Sequence, residues 1–265
     1  MHILETKSLT RCFNGHTAVE ALTIAVEVGE VFGLLGPNGA GKTTTIKMLT
    51  TLLPPTSGTA SVAGFDIVRQ AREVRRVIGY VPQLVSADGS LSGYENLLIF
   101  AKLYDIPRRE RDSRIGEALD LVGLTDAAPR MVREYSGGMI RRLEIAQSML
   151  HRPRVLFLDE PTVGLDPVAR RAVWDHIEKL RCEYGATILL TTHLMEEADH
   201  LCQRVAIMHL GRVAAMGPPV SLKAALGGKG ITLDDVFVHY AGGTLDSGGT
   251  YRETSRTRRT AQRLG

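Results

Sequence analysis

The chain has 265 residues and a mass of 28.9 kDa, enough for one large domain or two modest ones with a sizeable core. A hydrophobic fraction of 44% and a charged fraction of 23% lie close to the averages for folded globular proteins, which excludes collagenous, coiled-coil and wholly disordered readings. The formal net charge of +3 is uneven, because residues 251–265 hold five arginines against one acid and leave the first 250 residues at −1.

A short basic end of this kind could seek nucleic acid or anionic lipid, but it reads more simply as a solvated tail, and no specific nucleic-acid partner is expected. No run approaches ~18 uninterrupted apolar residues, so any membrane role must be borrowed from a partner. The opening segment Met1–Lys7 lacks a cationic flank followed by an apolar stretch, which places the expected site of action in the cytoplasm. Cys12, Cys182 and Cys202 are odd in number and far apart, as reduced thiols would be.

In chain order, the first 80 residues read as short strands separated by turns. Glu30–Leu35 is a buried-strand run, and Thr43–Thr50 forms a helix that opens where a glycine-rich loop ends. From Gly89 to about Glu134 the pattern turns helical, with Leu97, Leu98, Phe100, Ala101 and Leu103 in one segment and Ile115, Ala118, Leu119 and Leu121 in the next. A further helical run covers Ile140–Leu150, followed by an apolar strand at Val155–Leu158. Asp166-Pro167 opens a helix that carries Val173, Ile177 and Leu180 at helical spacing, and Ala186–Leu190 is a second strand. Strands alternating with helices predict an α/β fold with a mostly parallel sheet. The division expected is one domain over residues 1–226, with a helical subdomain inserted at about 85–150. A C-terminal extension over 227–265 follows, weakly ordered after Gly242.

Three segments carry chemistry. Gly36-Pro37-Asn38-Gly39-Ala40-Gly41-Lys42-Thr43, followed by Thr44, matches the phosphate-binding pattern G-x-x-x-x-G-K-[ST] and stands between a strand and a helix. Glycines let successive backbone N–H groups curl around phosphate oxygens, and the helix N-terminus adds positive potential. Lys42 is placed to reach the β- and γ-phosphates, and the Thr43 hydroxyl to ligate Mg²⁺. The bland alternative, a glycine-rich turn before a helix, does not account for lysine and threonine standing together at its end. Second, Val155–Leu158 ends in Asp159-Glu160, which suits Asp159 to hold Mg²⁺ through its water shell and Glu160 to polarise an attacking water. These two segments imply a nucleoside triphosphate hydrolase. Third, Tyr135-Ser136-Gly137-Gly138-Met139 lies immediately before a helical run, 23 residues ahead of Asp159. Alone it would be an ordinary helix N-cap.

With these segments in this order, the sequence resembles the ATP-binding subunits of ABC transporters over about residues 2–240, with Ser136-Gly137-Gly138 as the signature. Met139 replaces the glutamine common there, as in the drug-exporter branch. The resemblance implies an ABC ATPase cassette: a mostly parallel core with an antiparallel portion and an inserted helical subdomain. It implies further site residues. Gln83, in Val81-Pro82-Gln83, is similar to the glutamine that touches Mg²⁺ and the attacking water and links the core to the helical subdomain. Asp166 is similar to the D-loop aspartate, while also serving as a helix N-cap. His193 is similar to the switch histidine on the γ-phosphate. Phe13 stands where the family stacks an aromatic ring on adenine, with core packing as its ordinary alternative. Also implied are ATP and Mg²⁺ as cofactors and a head-to-tail homodimer in which Ser136, Gly137 and Gly138 of one subunit cap ATP on the other. Thr232–Phe237 resembles a feature of ATPases serving ABC-2 type exporters. This predicts export of a drug, antibiotic, lipid or glycan through a separately encoded permease at the inner face of the cell membrane. An ABC ATPase acting on nucleic acid or ribosomes is the alternative; there is one phosphate loop, no CxxC pair, and only 53 residues separate Gln83 from Ser136. His193, Glu197 and His200 have a spacing that a metal site would use, but Glu196, Glu197 and Asp199 read more simply as a solvated face.

Overall fold

The computed structural model describes residues 1–227 and 230–241; the arginine-rich stretch and the expected weakly ordered tail lie outside the described residues. Strands β1 (His2–Phe13), β2 (His16–Leu22) and β3 (Ala25–Glu27) begin an antiparallel layer, and β4 (Val31–Leu35) leaves it for a second sheet. After α1 (Lys42–Leu49), β5 (Ser57–Val62) and β6 (Phe65–Asp66) return to the first layer. Next come α2 (Ala71–Val77), β7 (Ile78–Val81), α3 (Gly93–Leu103), α4 (Arg108–Leu121), α5 (Gly137–Met149), β8 (Val155–Asp159), α6 (Pro167–Tyr184) and β9 (Thr187–Thr192). Then α7 (Met195–Leu201), β10 (Arg204–His209), β11 (Arg212–Gly217), α8 (Pro219–Leu226) and α9 (Leu233–Ala241) complete the described chain.

The second sheet has the order β11-β10-β4-β9-β8-β7 and is parallel throughout except for β11, which pairs antiparallel with β10. Strands β4, β8 and β9 are buried at every residue, as a parallel sheet covered on both faces requires. Their side chains alternate between two apolar clusters. Val31, Leu35, Leu156, Leu158, Ile188 and Leu190 face the helices α3 to α7, whereas Phe32, Leu34, Val155, Phe157 and Leu189 face the antiparallel layer with α1 and α2. The parallel sheet is thus the middle of a three-layer stack.

Two of the differences from the sequence reading have a tertiary cause. The strand expected at Ala186–Leu190 runs to Thr192, because it is hydrogen-bonded on both sides, with Leu35 opposite Thr192 and Asp159 opposite Thr191. Polar threonines there keep extended geometry through tertiary pairing rather than through hydrophobic pattern. In the first layer, β1 is one long strand rather than several short ones: its first half pairs with β3 and β5 and its second half with β2, across shifts of register. Helix ends follow local chemistry. Ser92 and Glu95 form a capping box at α3, and α6 runs from the Asp166 cap and Pro167 to Gly185 in the left-handed region at φ 61.

Candidate functional site

Strands β4, β9, β8 and β7 lie side by side and parallel, so their carboxyl ends share one edge of the sheet. Open parallel sheets place ligand sites at that edge. Residues 36–41 leave β4, His193 follows β9, Glu160 follows β8, and Gln83 stands two residues beyond β7. Residues separated by up to 157 positions are therefore gathered by strand order alone.

The loop after β4 depends on its glycines. Gly41 has φ 100, and a Cβ on it would lie 2.5 Å from the Ala18 carbonyl oxygen; Gly39 has φ 83. Lys42 is 4% exposed, and its Nζ donates to the carbonyls of Gly36 at 2.8 Å and Pro37 at 3.1 Å while pairing with Glu160 Oε1 at 3.2 Å. The other oxygen of Glu160, Oε2, lies 3.0 Å from His193 Nδ1 and accepts from Gln83 Nε2 at 3.4 Å. Lys42, Gln83 and His193 thus converge on one carboxylate. Glu160 itself sits at φ 48, its N–H donating to both the carbonyl and the hydroxyl of Thr191. Non-glycine residues in this region are strained and concentrate at functional sites.

Beside it, Asp159 Oδ1 accepts from the Thr43 hydroxyl at 3.1 Å and the Thr191 hydroxyl at 2.6 Å. A carboxylate and hydroxyls gathered next to a phosphate loop are hard oxygen donors of the kind Mg²⁺ selects, so the residues present fit that ion. Burial pushes the neighbouring Tyr80 hydroxyl up to about 12, with the charge of Asp159 adding to the effect.

A cavity of about 560 Å³ opens over this centre, lined by residues 38–44, Gln83 and Glu160, with Phe13, His16 and Ala18 from the antiparallel layer. Phe13 is 39% exposed, which excludes plain core packing, and the Arg11 guanidinium lies 4.5 Å from the centre of its ring. His16 and Ala18 were not anticipated; their signal is the Asn14-Gly15 turn, which folds β2 back so that His16 stands opposite Phe13.

Ser136, Gly137, Gly138 and Asp166 do not line this cavity. Ser136 caps α5, its Oγ accepting from the Met139 N–H at 3.3 Å, and both Ser136 and Gly137 are exposed. Asp166 is the helix cap that the sequence suggested, accepting from the N–H groups of Val168 and Ala169 at 2.9 Å each. Gly138 lies against α6, where a Cβ would approach the Cβ of Ala169 to 2.9 Å.

One expectation needs correction. Glu197 does not belong to a solvated face: it is 1% exposed, and its Oε1 accepts from Thr162 Oγ1 at 2.6 Å and Trp174 Nε1 at 2.9 Å. Its acidic neighbours concealed this, since no periodic signal separates a buried carboxylate with two donors from an exposed one. Among the described residues no three His, Cys, Asp or Glu side chains are grouped to hold a metal; His193 turns to Glu160 and His200 to Glu178. All three cysteines are free.

A phosphate loop and paired acids at the carboxyl edge of a parallel sheet define a nucleoside triphosphatase. The profile of the family described as ABC transporter matches residues 19–163, and the chain belongs to that family as an ATP-binding ATPase subunit. It is 47% identical over 224 residues to the daunorubicin/doxorubicin resistance ATP-binding protein DrrA of Streptomyces peucetius, spanning 84% of this chain and 68% of that one. The Nod factor export ATP-binding protein I of Cupriavidus metallidurans is 41% identical, across 83% and 72% of the two chains. Among solved structures, an ATP-binding subunit of an ABC transporter superposes with a TM-score of 0.78 at 31% identity, covering 90% of this chain and 99% of that one. Two of these relatives are named for drug resistance and for Nod factor export.

Proposed function

We propose that this ATPase powers export of a drug or antibiotic, or of a lipid or glycan, through a separately encoded ABC-2 type permease, from a position on the inner face of the cell membrane. Support for the export direction comes from the names of its relatives, which include resistance and Nod factor export proteins. Among the described residues no helix is long and apolar enough to cross a membrane, and in this reading the permease supplies the spanning helices.

The observation that carries the mechanism is the convergence of Lys42, Gln83 and His193 on Glu160. In this reading Phe13 stacks on adenine, and the backbone N–H groups of residues 38–44, which line the cavity, hold the phosphates. Lys42 exchanges its carbonyl partners for β- and γ-oxygens. Thr43, Asp159 and Gln83 would hold Mg²⁺, which would supply neutralisation of the charge that develops on the phosphates. Glu160 accepts a proton from the attacking water, His193 donates to the γ-phosphate, and Gln83 orients the water against Glu160. Ser136 and Gly137, exposed at the N-terminus of α5 and away from their own subunit's cavity, cap the ATP of a second subunit together with Gly138, while Asp166 faces the shared interface. Residues 1–226 then act as one ATPase domain in which the helical part, about 85–150, moves with the signature, and 227–265 form an extension.

The test is a pull-down from detergent-solubilised native membranes with tagged Glu160→Gln protein and ATP. Retention of a polytopic membrane protein supports export and delivers the subunit that selects cargo. Retention of ribosomes or DNA instead overturns the transport reading while leaving the ATPase intact.

A further inference from the structure

One turn inside α5, Arg141 and Glu144 are 5% and 3% exposed, yet both spend their hydrogen bonds on a loop some 58 residues earlier in the chain. The two nitrogens of the Arg141 fork donate to the carbonyls of Pro82 at 2.7 Å and Gln83 at 2.9 Å. Arg141 Nη1 also pairs with Glu144 Oε2 at 3.0 Å. The other oxygen, Glu144 Oε1, accepts from the Ser86 N–H at 2.5 Å and the Ser86 hydroxyl at 3.0 Å. Two side chains from one helical turn thereby hold three main-chain groups of an otherwise exposed segment.

A buried ion pair is a poor way to stabilise a helix, since apolar residues of similar volume fill such a position without the desolvation penalty. What the pair supplies is direction. The planar guanidinium fork fixes two carbonyls at once, as a lysine cannot, and Glu144 lies beside it as its counter-ion. The segment so held carries Gln83, whose Nε2 reaches Glu160, and α5 is capped by Ser136.

We propose that Arg141 and Glu144 are positioning residues for hydrolysis: they set the backbone of residues 82–86 so that the Gln83 amide meets Glu160, and they tie that loop to the helix of the Ser136–Gly138 signature. This rests on the reading of Gln83 as a residue of the hydrolytic centre.

The experiment is a double-mutant cycle on the full-length protein, measuring kcat and KM for Mg-ATP in the parent, Arg141→Lys, Gln83→Ala and the double variant. Arg141→Lys keeps the charge beside Glu144 and loses the fork. It is expected to lower kcat about tenfold with KM within about twofold, and to lower it by less than about twofold further once Gln83 is alanine. Ser86→Ala, at an exposed position that cannot unfold the helix, is expected to lower kcat about threefold. If Arg141→Lys and Ser86→Ala turn over normally while Gln83→Ala is slow, the positioning role is overturned and the reading of Gln83 survives. If Arg141→Lys costs the same factor in both backgrounds, or raises KM alone, the role is overturned as well. Normal turnover by Gln83→Ala overturns the reading of Gln83, and the proposal with it.

Discussion

Replacing Glu160 by glutamine separates the two duties of this carboxylate. In the folded protein Oε1 pairs with Lys42 at 3.2 Å, while Oε2 faces His193 at 3.0 Å and Gln83 at 3.4 Å. An amide of the same shape has no charge to give Lys42, and on one side it offers a donor where an acceptor stood. Stranding a buried charge usually costs about 3–5 kcal/mol. Here Lys42 keeps the carbonyls of Gly36 and Pro37 at 2.8 and 3.1 Å, so its charge is not abandoned. The loss expected is therefore about 1–2 kcal/mol, roughly 2–8 °C in Tm for a chain of this size. Turnover should suffer far more, because a proton acceptor has been removed: kcat should fall about 10²- to 10⁴-fold. ATP affinity should stay within about threefold, since residues 36–44 are untouched. Phosphate release, ATP binding and thermal denaturation on one preparation read all three. A kcat above about a third of the parent's refutes Glu160 as the base. Loss of ATP binding together with activity would instead show that the ion pair maintains the loop.

The two signature glycines should respond differently to alanine. At Gly138 the new Cβ would lie 2.9 Å from the Cβ of Ala169, both atoms being fixed to helix backbones, so α5 and α6 must part at a cost of about 1–3 kcal/mol. At Gly137 it meets only the mobile end of Leu165 at 3.1 Å, and the cost should stay below about 1 kcal/mol; urea midpoints reverse this ranking if the packing is otherwise. His151 supplies a pH prediction: its ring stacks on Tyr104 at 4.0 Å, its Nε2 meets the Ile78 carbonyl at 2.8 Å, and burial lowers its pKa. The unfolded chain then takes up the proton first, so this stability is present above pH of about 6.5 and drains away as pH falls through the folded value. Tm should accordingly fall less steeply below about pH 6.5 in His151→Gln than in the parent, and an unchanged slope would remove His151 from the acid response.

How much could be read in advance followed from where each constraint originates. The phosphate loop is legible because its chemistry is written in backbone conformation: glycines at φ 83 and 100 leave few other residues possible. Asp159 and Glu160 are legible because a fully apolar strand ends on them, and Asp166 because a cap and a proline mark a helix start. By contrast, Thr191 serves both acids but reads as an ordinary strand residue until β9 is placed beside β8. Arg141 and Glu144 have the spacing of a routine surface ion pair, and only the packing of α5 on the loop after β7 turns them inward. Glu197 reads as a surface acid for the same reason, its donors lying 35 and 23 residues away. The phosphate loop and the paired acids answer to local backbone demands and leave a local pattern, whereas Gln83, His193 and Phe13 are reached only through the family resemblance. The polar groups that hold those residues in place answer to neighbours supplied by topology, and it is among them that the structure adds most to an account of how hydrolysis is tied to movement of the helices.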